Sequence, residues 1–386
     1  MQYQRAWAEI NLSHLSHNFE TVKRNISGET SIMGIVKADG YGHGAVPVAN
    51  TLLKNGVGSL GVAACEEGVH LRENGITAPI LIMGFTPEPL LPYVLQHGLM
   101  QTVFSYESAE ILAKLAAHHG KRASVHIEID TGMSRLGFLP DESSIHAICE
   151  IAQNPNLRLA GVYSHFATSD ALENSFMYEQ HARFSWFFGE LEKRGVKIPM
   201  KHAANSGALA QTLRPKNHFS MKKHDLLLDA VRPGILLYGH PPSAEMINTC
   251  AALELKPVMR LMSQVSMVKH LPANAGISYG HIYKTTRPST IAIIPVGYAD
   301  GYPRRMSSAG KVKINGQTAP LAGAICMDQC MADVTNIPDV KPGDKVILLD
   351  TSDTTSAETL AQTVGTINYE ILCGIGKRVP RVYVCK

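Results

Sequence analysis

Eight short apolar runs, each set off by amphipathic or turn-rich sequence, occupy the first two thirds of the chain and leave few ways to fold it. They are Ile32–Lys37, Val57–Ala63, Ile80–Met83, Gln101–Phe104, Val125–Ile129, Leu159–Tyr163, Met200–Ala204 and, most weakly, Ala230–Val231. Their length and β-branched content fit buried strands. Between them, Ala45–Lys54, Glu66–Glu73, Ser108–Ala117 and Glu179–Lys193 repeat apolar residues three and four apart, the spacing of a helix with one buried face. Gly56, Gly75, Gly98, Gly120 and Gly195 stand where such helices end in a left-handed residue. Alternating strand and helix point to a parallel sheet, and eight units in series suit closure into a TIM-type (β/α)8 barrel of roughly 250 residues. The competing arrangement is an open doubly wound sheet, but no G-x-G-x-x-G opens the first unit.

Past Pro241-Pro242-Ser243 the pattern changes. Strands are expected at Val265–His270, Thr290–Val296, Gly310–Ile314, Met331–Val334 and Val346–Asp350, separated by turn signals such as Asn315-Gly316 and Pro342-Gly343, with one helix at Ser356–Val364. The chain thus divides into an α/β barrel domain, residues 1–243, and a mostly β C-terminal domain, residues 244–386. The opening stretch Met1–Ile10 lacks a signal-peptide core and reads as a strand. A net charge of +3 is too mild to argue for nucleic acid or an anionic membrane as partner, and no apolar run approaches a membrane span. The seven cysteines are scattered, and Cys326 and Cys330 have no histidine or second pair beside them. Free thiols in a reducing cytoplasm and no metal site are the expectation.

In a barrel of this type the active site lies at the C-terminal ends of the strands. Reactive residues fall there. Lys37 ends the first strand, in the string Ile35-Val36-Lys37-Ala38-Asp39-Gly40-Tyr41-Gly42-His43-Gly44. Asp130–Gly137 follows the fifth, Ser164-His165-Phe166 the sixth, Ala204-Asn205-Ser206-Gly207 the seventh and Arg232-Pro233-Gly234-Ile235 the eighth. Any one of these could be a turn residue or a satisfied polar group; their convergence on one mouth is what carries weight. A lysine drawn into an apolar strand end loses its proton easily and attacks carbonyls. The loops after the last two strands of such barrels often bind phosphate, and Asn205, Ser206 and Gly207, opening a helix Ser206–Leu213, with Gly234 and Ile235, offer a hydroxyl and free N–H groups. A phosphorylated carbonyl cofactor satisfies both sides of the mouth, and pyridoxal 5′-phosphate does so through covalent attachment to the lysine.

These strings resemble those of alanine racemases, the pyridoxal-phosphate enzymes of fold type III, over almost the whole chain. Val36–Gly44 resembles the family's cofactor-lysine signature, and Trp7–Asn11 its opening strand. Asp130-Thr131-Gly132-Met133-Ser134-Arg135-Leu136-Gly137 and Tyr163–Ala167 are similar to further family strings. So are Ser278-Tyr279-Gly280, Gly297–Arg304, Cys326-Met327-Asp328-Gln329 and Ile367-Asn368-Tyr369-Glu370.

The resemblance implies a cytoplasmic homodimer with shared active sites that interconverts L- and D-alanine and supplies D-alanine for cell-wall synthesis. Lys37 is then the cofactor lysine and one acid/base, and Tyr279, reaching in from the partner subunit, is the other. Arg232 meets the pyridine nitrogen, and His165 links Arg232 to Tyr279. Tyr41, Ser206, Gly234, Ile235 and Tyr369 hold the phosphate, with Asn205 beside them. Arg135 meets the phenolic oxygen, Met327 offers a backbone N–H to the substrate carboxylate, and Tyr298 narrows the entrance with Tyr279 and Tyr369. Two acid/base groups on opposite faces racemise without turning the intermediate over. A tyrosine, ordinarily with a pKa of about 10, needs positive charge nearby to serve as a base. An arginine on the ring nitrogen does not readily give up a proton, which weakens the electron sink and limits side reactions.

Two departures stand out. Glu128 occupies a place where many family members carry a lysine described as carbamylated, and Glu128 is expected to supply the negative partner of Arg135. Ala324 occupies a place where many have arginine before the Ile-Cys-Met-Asp string, which changes the charge of the outer substrate corridor. The alternatives are a racemase of serine or of broader range, a fold-type III decarboxylase, and a non-enzymatic cofactor carrier. Arg232 and the Lys37/Tyr279 pairing argue against a decarboxylase, and the long β domain against a carrier.

Overall fold

The computed structural model describes residues 4–26, 28–214 and 223–385. Strand β1 (Ala6–Asn11) leads into a helix, Leu12–Arg24, and the chain then enters a barrel. Its strands are β2 (Ser31–Ile35), β3 (Ser59–Val62), β4 (Ile80–Ile82), β5 (Met100–Val103), β6 (Ala123–Glu128), β7 (Leu157–Tyr163), β8 (Lys201–Asn205) and β9 (Ala230–Arg232). All eight are parallel to their neighbours, and Ser31–Ala230 and Ile32–Val231 pair β2 with β9 to close the ring. The weakest run in the sequence is therefore the one that shuts the barrel. Ala230 and Val231 are fully buried, and a strand covered on both faces shows no alternation by which to recognise it.

The outer helices form as their spacing requires. In Tyr106–His118, Ser105 caps the start by accepting from the Ser108 N–H (3.1 Å), and Ala109, Leu112, Ala113 and Ala116 form the buried stripe. Burial of Leu112 alone contributes roughly 1.5–3 kcal/mol.

The second region holds β10 (Met259–Gln264), β11 (Met267–Leu271), β12 (Gly276–Ile277), β13 (Tyr283–Lys284), β14 (Ser289–Ile294), β15 (Lys311–Ile314), β16 (Gln317–Pro320), β17 (Cys330–Asp333), β18 (Lys345–Leu349) and β19 (Arg381–Val384). They form a six-stranded sheet in the order β16-β15-β18-β10-β1-β19, a three-stranded sheet β11-β14-β17 and the pair β12-β13. The strand expected at Val265–His270 is β11, begun two residues later at Met267, with Val265 and Ser266 lying between β10 and β11. Val265 N–H donates to Asp344 O and Ser266 N–H to Ile293 O, both at 2.8 Å, so the chain changes sheets between these residues. Asn315 and Gly316, with φ of 51° and 77°, make the tight turn that pairs β15 with β16. Strand β1 lies in the six-stranded sheet, antiparallel to β10 and parallel to β19. The first strand of segment 1–243 thus belongs with the C-terminal strands, its Ala6, Ala8 and Ile10 turned to that core.

Candidate active site

Strand β2 stops at Ile35, two residues short of the expected Lys37, and Lys37 opens a turn rather than ending the strand. Ala38 (φ 53°, ψ 48°), Asp39 (φ 53°, ψ 47°), Gly40 (φ 61°, ψ 47°) and Tyr41 (φ 52°) are left-handed. Each non-glycine residue in this conformation costs about 1–2 kcal/mol, so its surroundings must hold it. Asp39 Oδ1 accepts from the Ala45 N–H (2.8 Å), and Gly42 N–H and Gly44 N–H donate to Ala38 O (2.9 Å) and Asp39 O (2.8 Å). The C-terminal strand closes over the turn, with Arg381 Nε donating to Gly42 O at 2.9 Å. The Lys37 side chain is half-buried at the mouth. Desolvation, and then the Arg135 charge, push its pKa below the ordinary lysine range; Glu67 pulls the other way. Such an amine is a ready nucleophile.

Across the mouth, Gly234 N–H donates to Ser206 Oγ (2.9 Å), and the Tyr41 ring packs against Tyr238 (4.7 Å) and lies 6.0 Å from Tyr369. Ile235 follows, fully buried. A Cβ at Gly234 would stand 2.3 Å from the Tyr41 hydroxyl, so the backbone approaches Tyr41 as only glycine allows. The helix after β8 is six residues, Ser206–Gln211, and Asn205 caps it, accepting from Ala208 N–H (3.0 Å) and Ser169 Oγ (2.8 Å) through Oδ1. Gly234→Ala is expected to displace Tyr41 and weaken retention of a phosphorylated ligand by about tenfold or more, roughly the cost of one lost hydrogen bond. Equilibrium dialysis against pyridoxal phosphate checks this, and unchanged retention would remove Gly234 from the cradle.

Arg232 is the hub of the floor. Its guanidinium can only donate, and does so to His202 Nδ1 (2.6 Å), Ser164 O (2.7 Å), Ala203 O (3.1 Å) and His165 Nδ1 (3.3 Å). Both histidines must therefore be neutral, with their protons on Nε2. His202 lies 3.0 Å from His126 Nδ1 and stacks on Tyr163 at 4.9 Å and 8°, while Arg232 sits over the Tyr163 ring at 5.1 Å. Burial first, and the Arg232 charge second, hold His165 and His202 well below the usual histidine range and bring His126 to about 3. Burial lowers Arg232 to about 10, which leaves it charged at neutral pH. Its Nε–H is buried without a partner among the described residues.

With His43, which burial brings to about 3, and His181, lowered by the same cause, these three histidines set an acid limit, of which they carry the share at the floor. Unfolded histidine binds its proton below about 6.5, whereas the folded sites do so only at lower pH. The unfolded state then holds more protons, so stability is intact above that value and falls as pH drops below it. The melting temperature should decline steadily from pH 7 to pH 5, and the triple His126/His165/His202 replacement by Gln should flatten the decline. An equally steep decline in the replaced protein would refute the assignment.

The expected Glu128–Arg135 pair does not form. Glu128 is 3% exposed, and its Oε2 accepts from the Tyr163 hydroxyl (3.0 Å), which also meets Thr102 Oγ1 (3.1 Å). No ion pair within 4.0 Å joins it to Arg135 among the described residues. The reason is the loop. Phe138 N–H donates to Glu128 O (2.9 Å) and Asp130 N–H to Phe138 O (2.8 Å), which folds residues 130–138 back on the strand and carries Arg135 to an exposed position on it. Burial raises the Glu128 pKa, with the Tyr163 hydrogen bond opposing.

Tyr279, Tyr298 and Met327 are not brought to this mouth within one chain. They project from the C-terminal domain, 70%, 41% and 53% exposed. Their loops are tied to each other. Ser278 Oγ donates to Ala324 O (2.6 Å), Tyr298 N–H to Cys326 O (3.1 Å) and Ala299 N–H to Met327 O (3.0 Å). Asp300, fully buried, accepts from Gly297 N–H (3.0 Å) and pairs with Arg5 beneath them.

The sequence reading missed Tyr163, His126 and His202 on the floor, Glu67 and Arg381 around the lysine turn, and Asp300. Period-two alternation back from Glu128 would have found His126, and Tyr163 ends its own strand, but His202, three positions before Asn205, is out of step with it across an irregularity in the pairing.

Two family models match the chain: "Alanine racemase, N-terminal domain" over residues 10–242 and "Alanine racemase, C-terminal domain" over residues 258–383. Alanine racemase 1 of Clostridium acetobutylicum is 44% identical over 380 residues, 98% of this chain and 95% of the relative. Alanine racemase of Clostridium novyi is 46% identical over 381 residues, with 98% and 95% covered. Among solved structures, alanine racemase of Clostridium difficile 630 superposes with a TM-score of 0.93 at 41% identity, covering 100% of this chain and 97% of that one. Alanine racemase from Bacillus anthracis with bound L-Ala-P superposes with a TM-score of 0.90 at 34% identity, covering 100% and 96%.

Proposed function

The chain belongs to the alanine racemase family, an isomerase interconverting L- and D-alanine, and from that premise we propose how its own residues carry the reaction with pyridoxal 5′-phosphate. The observation that carries the cofactor reading is the buried Nε–H of Arg232, without a partner among the described residues, on the same strand end as the Gly234–Ser206 contact. A buried donor of this kind wants an acceptor, and the pyridine nitrogen is one. Lys37 would bind the cofactor's carbonyl carbon. Tyr41, Ser206, Gly234, Ile235 and Tyr369 would hold the phosphate. Arg135 would meet the phenolic oxygen, with His165 and Asn205 lining the site. When bound, the cofactor supplies the electron sink that makes the alanine α-proton removable.

The protein's part follows. The Lys37 amine exchanges the α-proton on one face of the substrate, and Tyr279 of the partner subunit does so on the other. Arg232 does not readily give up its proton and, by donating a hydrogen bond to the ring nitrogen, would keep that nitrogen unprotonated. His165, neutral and accepting from Arg232 at Nδ1, turns its Nε2 toward Asn205 Nδ2 at 3.5 Å, and that nitrogen would meet the phenol of Tyr279. The Met327 N–H takes the substrate carboxylate. Tyr298, Tyr369 and Tyr279 narrow the entrance, which favours a methyl side chain. The working unit is a homodimer, a reading supported by the exposure of Tyr279, Tyr298 and Met327 on the C-terminal domain. The seven free cysteines support a reducing cytoplasm, where D-alanine is made for cell-wall synthesis. The division at residues 243 and 244 would be a functional one: the first part supplies the cofactor's contacts apart from Tyr369, and the second completes the neighbouring site.

Chiral chromatography after incubation of the purified protein with pyridoxal phosphate and single L-amino acids tests the reading. D-Alanine should form fastest by a wide margin. Faster formation of D-serine would transfer the assignment to a serine racemase, and amine release with loss of carbon dioxide to a decarboxylase.

A further inference from the structure

We propose that Glu67 is a positioning residue for Lys37, its carboxylate pinning the turn from which the lysine emerges. Glu67 is the third residue of the helix Cys65–Glu73 that follows β3. Its Oε2 accepts from Ala63 N–H (2.7 Å) and Ala64 N–H (3.2 Å), as an acidic residue there often does to cap a helix. Capping occupies only that oxygen. Oε1 reaches across the barrel rim and accepts from Ala38 N–H at 2.5 Å. Ala38 follows Lys37 directly and is the first of the left-handed residues. One carboxylate thus staples the end of β2 to the end of its neighbour β3, at the point where the backbone enters its left-handed turn.

Two physical consequences follow. The three N–H donors satisfy the carboxylate without neutralising it, and no ion pair within 4.0 Å engages it among the described residues. Its charge therefore acts on the Lys37 amine, opposing the effects of burial and of Arg135. And the Ala38 contact fixes the direction in which the lysine leaves the barrel wall, while Asp39 and Arg381 hold the far side of the same turn. Glu67 touches neither substrate nor cofactor in this account; it acts through Lys37.

The proposal rests on Lys37 being the cofactor lysine, and the experiment separates the two. Glu67→Gln keeps a cap-competent side chain but presents an amide N–H₂ to one of its N–H partners and removes the charge. Glu67→Asp keeps the charge but is one methylene too short to hold both sides. Three quantities are read on each: melting temperature, the dissociation constant of pyridoxal phosphate, and the pH profile of Lys37 acylation in cofactor-free protein, followed by peptide mass spectrometry. Both variants should melt near the wild type and bind the cofactor about tenfold more weakly, a change of ~1.4 kcal/mol. The Gln variant should also move the acylation profile to lower pH, because the group that favours the protonated amine is gone; the Asp variant should move it less. Should the wild type take up no pyridoxal phosphate, the cofactor reading falls, and the acylation profiles alone decide the role of Glu67. Unchanged acylation in the Gln variant, with or without a lowered melting temperature, would make Glu67 a helix cap and nothing more.

Discussion

Lys37→Ala is expected to give a folded protein that no longer binds pyridoxal phosphate covalently. The fold should survive because Lys37 is half-buried at the barrel mouth, and the turn around it is held by Asp39, Arg381 and Glu67. The chemistry should not survive. In the proposed mechanism the amine is both the point of attachment and one of two proton carriers, and losing either role would remove about 10²–10⁴ in rate. D-Alanine formation should fall to background. The visible absorbance of the attached cofactor should be missing from the purified variant, and borohydride should fix no cofactor to the chain. A reducible adduct on another lysine would contradict the assignment of Lys37.

Tyr279→Phe should be nearly as damaging but in a different way. The hydroxyl is the only part removed, from a side chain that is 70% exposed in the single chain, so cofactor attachment at Lys37 should be normal. Racemisation should fall by about 10²–10⁴, the usual worth of a positioned acid/base. The two enantiomers should then behave unequally in deuterated water. The one whose α-hydrogen faces Lys37 should still exchange it with solvent, while the other should not. Equal loss of exchange from both would mean that Tyr279 supports the site without carrying a proton.

The barrel was legible because its signal is repeated. Eight strands with intervening helices leave little freedom, and even Ala230–Val231, two residues long in the sequence reading, fell in its place at the closing seam. Residues at strand ends were legible for the same reason, since a barrel gathers them on one rim. The C-terminal domain was less so. A chain that passes from one sheet to another without a turn, as at Val265 and Ser266, gives no break in hydrophobicity, and the edge strand Gln317–Pro320 carries a proline that argues against a strand. The Glu128–Arg135 pairing failed because strand alternation fixes where Glu128 points but says nothing of where a nine-residue fold-back loop takes Arg135. Glu67 and His202 were missed because their importance lies in what they touch across strands, and sequence spacing does not encode those contacts.

The central claim is that each site joins Lys37 of one subunit to Tyr279 of the other, and mixing two inactive variants tests it most directly. In a heterodimer of Lys37→Ala and Tyr279→Phe, one site carries both substitutions and the other carries neither. Random exchange makes half of the dimers mixed, so about one quarter of the wild-type activity should return under twofold symmetry. D-Alanine formation is measured after subunit exchange, with heterodimers confirmed by native mass spectrometry. Recovery near that fraction is the predicted result; confirmed heterodimers with no recovered activity would contradict the account.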